Sequence, residues 1–361
     1  TLAMSFVHLH THSHYSLLDG MSKVPDLVAR AKALGMPALA LTDHGNMYGA
    51  IEFYKTCKSA GIKPIIGVEA YIAERSHLDK DASLDTKRYH LTLLAKNNEG
   101  YKNLMKLVSI SNLAGYYYKP RMDLELIREH AAGLICLSGC PGSRFVQLMK
   151  ADNKEAARAL LTSYIEIFGK PHVFVEVMWH DDVDWYIPLI PKIVALAKEM
   201  DLPIVATWDS HYLDVADKEA HNTLLAINTN NQNFKFGGNY SFIDEETART
   251  IFADIPEAID NTLLVADLVD IEIELEPWRF PTYPIPEGAT YDEELRKAVE
   301  QGLIDKQYEK TEVVATRIEF ELDIIKQKGF PSYFLVEADI VKAARRMGIY
   351  TNTRGSAAGS L

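Results

Sequence analysis

The chain has 361 residues, 47% hydrophobic and 24% charged, and its 38 Lys and Arg against 50 Asp and Glu give a formal net charge of -12. That is ordinary globular composition, enough for one large domain and a smaller one. It argues against a membrane span, a surface that is basic all over, and a disulfide framework: the cysteines are only Cys57, Cys136 and Cys140, which predicts a reducing, cytoplasmic setting with no membrane partner.

Short apolar runs of strand length alternate with helical patterns along the first 210 residues. A strand is predicted at 5–9 (SFVHL), leading directly into His10 and His12, with Asp19 a turn later. A helix follows at 24–35, with apolar residues at 24, 27, 28, 31 and 34 and Gly35 as its stop. Strand 37–42 ends in LTDHG, carrying Asp43 and His44, and strand 63–68 ends in GVEAY, carrying Glu69. Strand 90–95 instead opens on its polar residue, His90. The stretch GYYYKPRMD then sets Tyr116, Tyr117 and Tyr118 beside Lys119 and Arg121. Aromatic rings stack on unpaired bases and cations hold a backbone, so this loop either contacts a single nucleic-acid strand or packs on a barrel rim. Strand 133–138 ends in LSGCPGS, carrying Cys140. Helix 153–169, strand 172–178, helix 186–201 and strand 203–207 complete the series, and the last strand ends in TWDSH, carrying Asp209 and His211. Strand–helix repetition favours a parallel sheet or barrel. Seven such units predict an α/β fold, a TIM-like (β/α)7 barrel one unit short of the usual ~eight.

The pattern changes after residue 210. Residues 234–252 read as an irregular loop, a short strand and a helix. The proline-rich stretch 274–294 reads as a linker, dividing a barrel at 1–275 from an extension at 276–361. The extension is mostly helical, with a charged periodic run at 292–328 and a helix at 330–348.

The polar residues at the strand ends share a chemistry. Residues i and i+2 of a strand point to one face, so His10 and His12 can reach one metal. Imidazole, carboxylate and thiolate together suit first-row divalent ions, and a bridging carboxylate suits a cluster. Singly, each has an ordinary reading: Cys140 as a core residue, Asp43 as a turn cap, Asp19-Gly20 as a turn. Their joint placement points to a site, because barrel active sites assemble at strand ends. Clustered ions hydrolyse phosphoesters by activating water and steadying the leaving oxygen.

Together HLHTHSHYSLLDG, LTDHGN, GIKPIIGVEAY, LSGCPG and DSHY resemble the polymerase-and-histidinol-phosphatase (PHP) domain. Within that family they are most similar to the N-terminal domain of bacterial replicative DNA polymerase III alpha subunits. The stretches FELDIIKQKGFPSYFLVEADIVKAARRMGI and RGSAAGSL resemble the start of that family's polymerase palm. The resemblance implies a distorted seven-stranded PHP barrel and a centre of three divalent ions, zinc, manganese or iron, with magnesium an alternative. The implied ligands, which are also the catalytic set, are His10, His12, Asp19, His44, Glu69, His90, Cys140, Asp209 and His211. Glu69 would bridge two ions. His10, His12 and Asp209 would hold one, His90 and Cys140 the next, and Asp19, His44 and His211 the third. His8 would stand behind the ligands, His14 outside them, and His180 would face either the site or solvent.

The implied activity is 3′→5′ exonucleolytic removal of misincorporated nucleotides from a single-stranded or mispaired DNA 3′ end. The implied partners are the rest of a polymerase chain and other replisome subunits. A metal-stabilised structural module and a small-molecule phosphatase remain as alternatives. In the family, a loop matching Arg354, Gly355, Ser356, Gly359 and Ser360 cradles a nucleotide triphosphate. Here it follows Thr351, Asn352 and Thr353, which depart from the family's glycine- and proline-rich pattern. The polymerase's catalytic carboxylates have no counterpart in these residues, so DNA synthesis is not expected of this chain.

Overall fold

The computed structural model describes residues 6–17, 19–231, 235–275, 279–352, 354–355 and 359–360. The chain divides into two units, Thr1–Ile273 and Glu274–Leu361.

The first unit is built on a curled sheet of eight strands: β1 (Ala38–Leu41), β2 (Lys63–Ala73), β3 (Arg88–Ala95), β4 (Tyr116–Tyr117), β5 (Lys119–Met122), β6 (Leu134–Leu137), β7 (Val173–Met178) and β8 (Ile204–Thr207). Their order is β4-β5-β2-β3-β6-β7-β8, with β1 paired to the other end of β2. β1, β6, β7 and β8 are buried at every residue, as strands covered on both faces must be. The predicted strand at 5–9 is an extended segment rather than a laddered strand where it is described, from residue 6. It lies between β1 and the end of β8. The Ala40 N–H donates to the His8 carbonyl at 2.8 Å, the His12 N–H donates to the Ser210 carbonyl at 2.8 Å, and Thr11 forms a parallel bridge with Ser210.

The strand–helix rhythm predicts parallel strands, but β3 runs antiparallel to both β2 and β6. The physical reason is the connection. Residues 74–87 contain no helix, so β2 returns directly to β3 without the crossover that parallel pairing needs. The reversal puts the first residues of β3 beside the last residues of β2, and Tyr71 pairs with His90. His90, at the start of its strand, therefore reaches the same edge that the other strands reach with their ends.

Amphipathic helices pack against the sheet. Lys154–Phe168 shows why they form: Asn153 caps its N-terminus by accepting from the Ala156 N–H, and Ala157, Leu160, Leu161, Tyr164 and Phe168 make a buried stripe at helical spacing. The strand expected within 234–252 is replaced, among the described residues, by a single bridge between Tyr212 and Ser241 and a short helix at Glu245–Ile251.

The second unit contains helices Tyr291–Asp305, Glu312–Gln327 and Pro331–Arg346 around a small core of Leu295, Ile318, Leu322 and Leu335. The single charged run expected at 292–328 is interrupted. Gln307 takes a left-handed backbone (φ 55°), and Thr311 restarts the helix by capping the Val314 N–H. No helix among the described residues is long and apolar enough to cross a membrane.

Candidate metal centre

The nine strand-end residues, far apart in sequence, converge at one place. His10 and His12 come from the extended first segment, Asp19 from the turn after it, and His44 from the end of β1. Glu69 lies in β2, His90 in β3, Cys140 after β6, and Asp209 and His211 after β8. Glu69 is central. Its Oε2 lies 2.6 Å from His44 Nδ1 and 3.7 Å from His12 Nε2, and its Oε1 lies 2.7 Å from His90 Nδ1 and 3.6 Å from His10 Nε2. The Cys140 thiol sits 3.2 Å from the same Oε1. Asp209 Oδ1 is 3.0 Å from His12 Nε2. Asp19 places its two oxygens 2.7 Å from His211 Nε2 and 3.1 Å from His44 Nε2.

Three overlapping groups have ligand atoms within 4.8 Å of one another: His10, His12 and Glu69; Glu69, His90 and Cys140; and His12, His44 and His211. The donor set fits divalent cations on an independent ground. His10 Nε2, His12 Nε2, His44 Nδ1, Asp19 Oδ1, Glu69 Oε2 and Asp209 Oδ1 are buried and make no hydrogen bond. Several of these atoms are close together yet misaligned for hydrogen bonding. Buried polar atoms left this way are costly unless something else satisfies them, and lone pairs converging on shared points are what a cation requires.

Groups behind the cluster aim these lone pairs. His10 Nδ1 donates to Glu176 Oε1 at 2.9 Å, which turns Nε2 toward the centre as the nitrogen a cation would take. His12 Nδ1 donates to Ser16 Oγ at 2.9 Å, and the Ser16 hydroxyl in turn donates a hydrogen bond to Asp43 Oδ1 at 2.8 Å. His211 Nδ1 donates to the Asp209 carbonyl at 2.8 Å. Asp209 adopts a left-handed backbone (φ 57°), unusual for a residue other than glycine, and so presents that carbonyl and its carboxylate to two different histidines. Asp43 is not among the converging ligands. It accepts from the Ser13 N–H and from the Ser13 and Ser16 hydroxyls.

The charges are strongly interdependent. Burial disfavours protonated His10, but Glu69, Asp209 and Glu176 outweigh it and hold the imidazole well above its ordinary value. Burial, with His44 and His211 nearby, pushes His12 down to about 3. Burial opposes protonation of His211 too, yet Asp19 and Asp209 raise it to about 9. Burial would raise Glu69, but His90, His44 and His10 hold it well below the carboxylate range. Burial and Glu69 push the Cys140 thiol up. Protons on these histidines balance carboxylates that divalent cations would balance instead.

Glu176 and Ser16 were not anticipated as part of the site from the sequence. Glu176 had a signal, a lone carboxylate in the apolar strand VFVEVM; Ser16 had none. His8 stands behind the cluster, with Nε2 donating to the Ile243 carbonyl at 2.9 Å. His14 is exposed. His180 is buried rather than at the surface, stacked on Tyr240 at 4.6 Å.

The expected DNA-contact loop is a hairpin of β4 and β5. Tyr116 and Tyr118 are exposed at its tip, Tyr117 is half-buried, and Lys119 Nζ lies 5.4 Å from the Tyr71 ring. Arg121 must be withdrawn as a DNA contact. It is fully buried and donates to the carbonyls of Gly115, His77, Asp79 and Asp85, so no hydrogen-bonding capacity faces solvent. In the second unit, Ser356 lies outside the described residues. Arg354, Gly355, Gly359 and Ser360 are exposed, the Gly359 carbonyl accepts from Arg317, and the Ser360 hydroxyl donates to Glu321.

Comparison with known proteins gives three findings. Residues 8–180 match the PHP domain, and residues 293–361 match the bacterial DNA polymerase III alpha NTPase domain. Over 99% of its length the chain is 40% identical to the DNA polymerase III subunit alpha of Treponema pallidum, covering 31% of that protein, and 40% identical to that of Borreliella burgdorferi, covering 32%. It thus spans about a third of the length of these relatives. Among solved structures, a putative metal-dependent phosphoesterase from Bifidobacterium adolescentis aligns with 69% of this chain and 96% of its own, with a TM-score of 0.40 and 14% identity.

Proposed function

Because the chain belongs to the PHP-domain family of bacterial DNA polymerase III alpha subunits, we propose that its nine-residue cluster is a divalent-metal phosphodiesterase centre. Its substrate is a DNA 3′ end, single-stranded or mispaired, from which it removes nucleotides. In a longer polymerase chain this would be a proofreading activity.

The observation that carries the reading is the convergence of six buried atoms, one each from His10, His12, Asp19, His44, Glu69 and Asp209, that make no hydrogen bond. A module needing metal only for stability would be served by one closed site of ~four ligands. Here three groups share Glu69 and His12, and the cluster is open on one side, where the His90 side chain is 27% exposed. Bound divalent ions supply Lewis acidity and bring the pKa of water near neutral. The chain's own part is to hold and orient. His10, His12 and Asp209 would serve one ion, Glu69 with His90 and Cys140 the next, and Asp19, His44 and His211 the third. Glu176, Ser16 and the Asp209 carbonyl keep protons on the nitrogens that face away.

Digestion of a 3′-labelled single strand and of a mispaired primer–template, with zinc or manganese, tests this. Stepwise loss of 3′ nucleotides by the wild type, reduced to background in His12→Ala, is expected. A folded, metal-loaded protein that leaves both substrates intact would overturn the reading. Faster turnover of a phosphomonoester than of the DNA would favour the small-molecule alternative.

A further inference from the structure

The cluster continues outward along the sheet in ordered layers. β2 and β3 pair Glu69 with Thr92, then Tyr71 with His90, then Ala73 with Arg88. Side chains two residues apart share a face. Tyr71 is therefore on the face of Glu69, and Arg88 is on the face of His90, one layer nearer the open edge. Ala73, opposite Arg88, contributes only a methyl group to that layer.

Tyr71 is the hinge between cluster and rim. Tyr71 is buried, and its ring meets His90 edge-on at 5.3 Å and lies 6.0 Å from His44. Two cations stand over the same ring, Lys119 at 5.4 Å and Arg88 at 6.0 Å. The hairpin bearing Lys119 is held close to the cluster. Gly45, next to His44, has φ +61°, and a Cβ there would lie 2.8 Å from Pro120 Cγ, so this approach admits only glycine. In a chain with a net charge of -12, neighbouring cations find carboxylates: Lys87 and Arg144 both face Glu74. Among the described residues, Arg88 and Lys119 form no ion pair with a carboxylate. Two cations left without acidic partners beside a centre that cleaves phosphodiesters have an evident ligand, a second phosphate of the same strand.

We propose that Arg88 and Lys119, positioned by Tyr71, form the subsite for the phosphate next to the scissile one, so that the centre selects a nucleic-acid strand over an isolated phosphoester. This rests on reading the cluster as a strand-cleaving site. It assigns Arg88 and Tyr71 a role in substrate selection and gives Lys119 a specific phosphate partner.

The test is equilibrium binding of a fluorescent single-stranded oligonucleotide across a salt series, for the full chain and for Arg88→Gln and Lys119→Gln. Each variant should weaken binding and lower the slope of log affinity against log salt by about 0.7, the value for one lost single-strand phosphate contact. Lys119→Arg should restore the slope. With metal present, KM for the oligonucleotide should rise with little change in kcat. Hydrolysis of bis(p-nitrophenyl) phosphate, which has no second phosphate, should suffer less than strand cleavage. Unchanged salt slopes in both glutamine variants would overturn the subsite. So would parallel loss of activity on both substrates, which would place the two cations in support of the cluster. A wild type that cleaves neither substrate would sink the phosphodiesterase reading, while the salt slopes would still decide whether these cations hold a strand.

Discussion

Glu176 lies within β7 with no exposed surface, and its two oxygens accept from four groups: His10 Nδ1, the Gly139 N–H, and the hydroxyls of Thr92 and Thr207. A carboxylate that fixes a ligand histidine this way sets its tautomer and raises its basicity. Glu176→Gln keeps the shape but replaces one acceptor oxygen by a donor. Metal affinity should fall by about 10–100-fold, read by competition with a chromogenic chelator. A change within about twofold would show that His10 is oriented without it. The residue was half legible in sequence. A charge in a buried strand announces that it has partners, but these partners come from four separated segments that only the fold brings together. His8 makes a second residue-scale prediction. Burial pushes it down to about 4, from 6.5. Between those values the unfolded chain binds the proton and the folded chain does not, so stability is lost as pH falls from 6.5 toward 4. The loss is about 3 kcal/mol at pH 4, from about 1.4 kcal/mol per pKa unit. Urea unfolding of metal-free protein should show it as a steeper acid decline in wild type than in His8→Gln. Parallel declines would mean that His8 is protonated without cost.

At the scale of elements, the informative departure is β3. Apolar periodicity located it to within two residues, yet direction is not a property of periodicity. Direction follows from the connection, and residues 74–87 contain no helical pattern to carry a crossover. Reading that absence would have explained why His90 opens its strand while the other ligands close theirs. The β4–β5 hairpin was missed for another reason: its strands are too short for a period-2 pattern to register. Arg121 belongs to this scale. Its guanidinium ties together the Gly115 carbonyl and the loop carbonyls of His77, Asp79 and Asp85, so one side chain organises the β2–β3 connection. Arg121→Met should leave those carbonyls without donors and cost about 3 kcal/mol or more. Hydrogen exchange should quicken selectively across 76–87. Stability within about 0.5 kcal/mol of wild type, with unchanged exchange, would contradict that role.

For the molecule as a whole, the two units differ in what holds them. The first has a continuous core running through the sheet and its helices, while the second has a small apolar cluster centred on Leu295, Ile318, Leu322 and Leu335 among its described residues. The proposed ligands all belong to the first unit, from His10 to His211, on segments that meet only when the sheet is complete. Ions bound there would stabilise the folded first unit by mass action, about 2.7 kcal/mol at a free concentration 100 times Kd. They would add nothing to the second. Calorimetry should therefore resolve a transition that a chelator moves to lower temperature and one that it leaves in place. Tryptophan fluorescence of a Trp278→Phe variant can identify them, because the other three tryptophans, Trp179, Trp185 and Trp208, belong to the first unit and Trp208 adjoins Asp209. The chelator-sensitive transition should be the one that fluorescence follows, and in His12→Ala it should lose most of that sensitivity. If chelation shifts both transitions equally, the ions couple the two units. If it shifts neither, metal does not contribute to stability at this cluster, and the buried lone pairs must be balanced by the histidine protons alone.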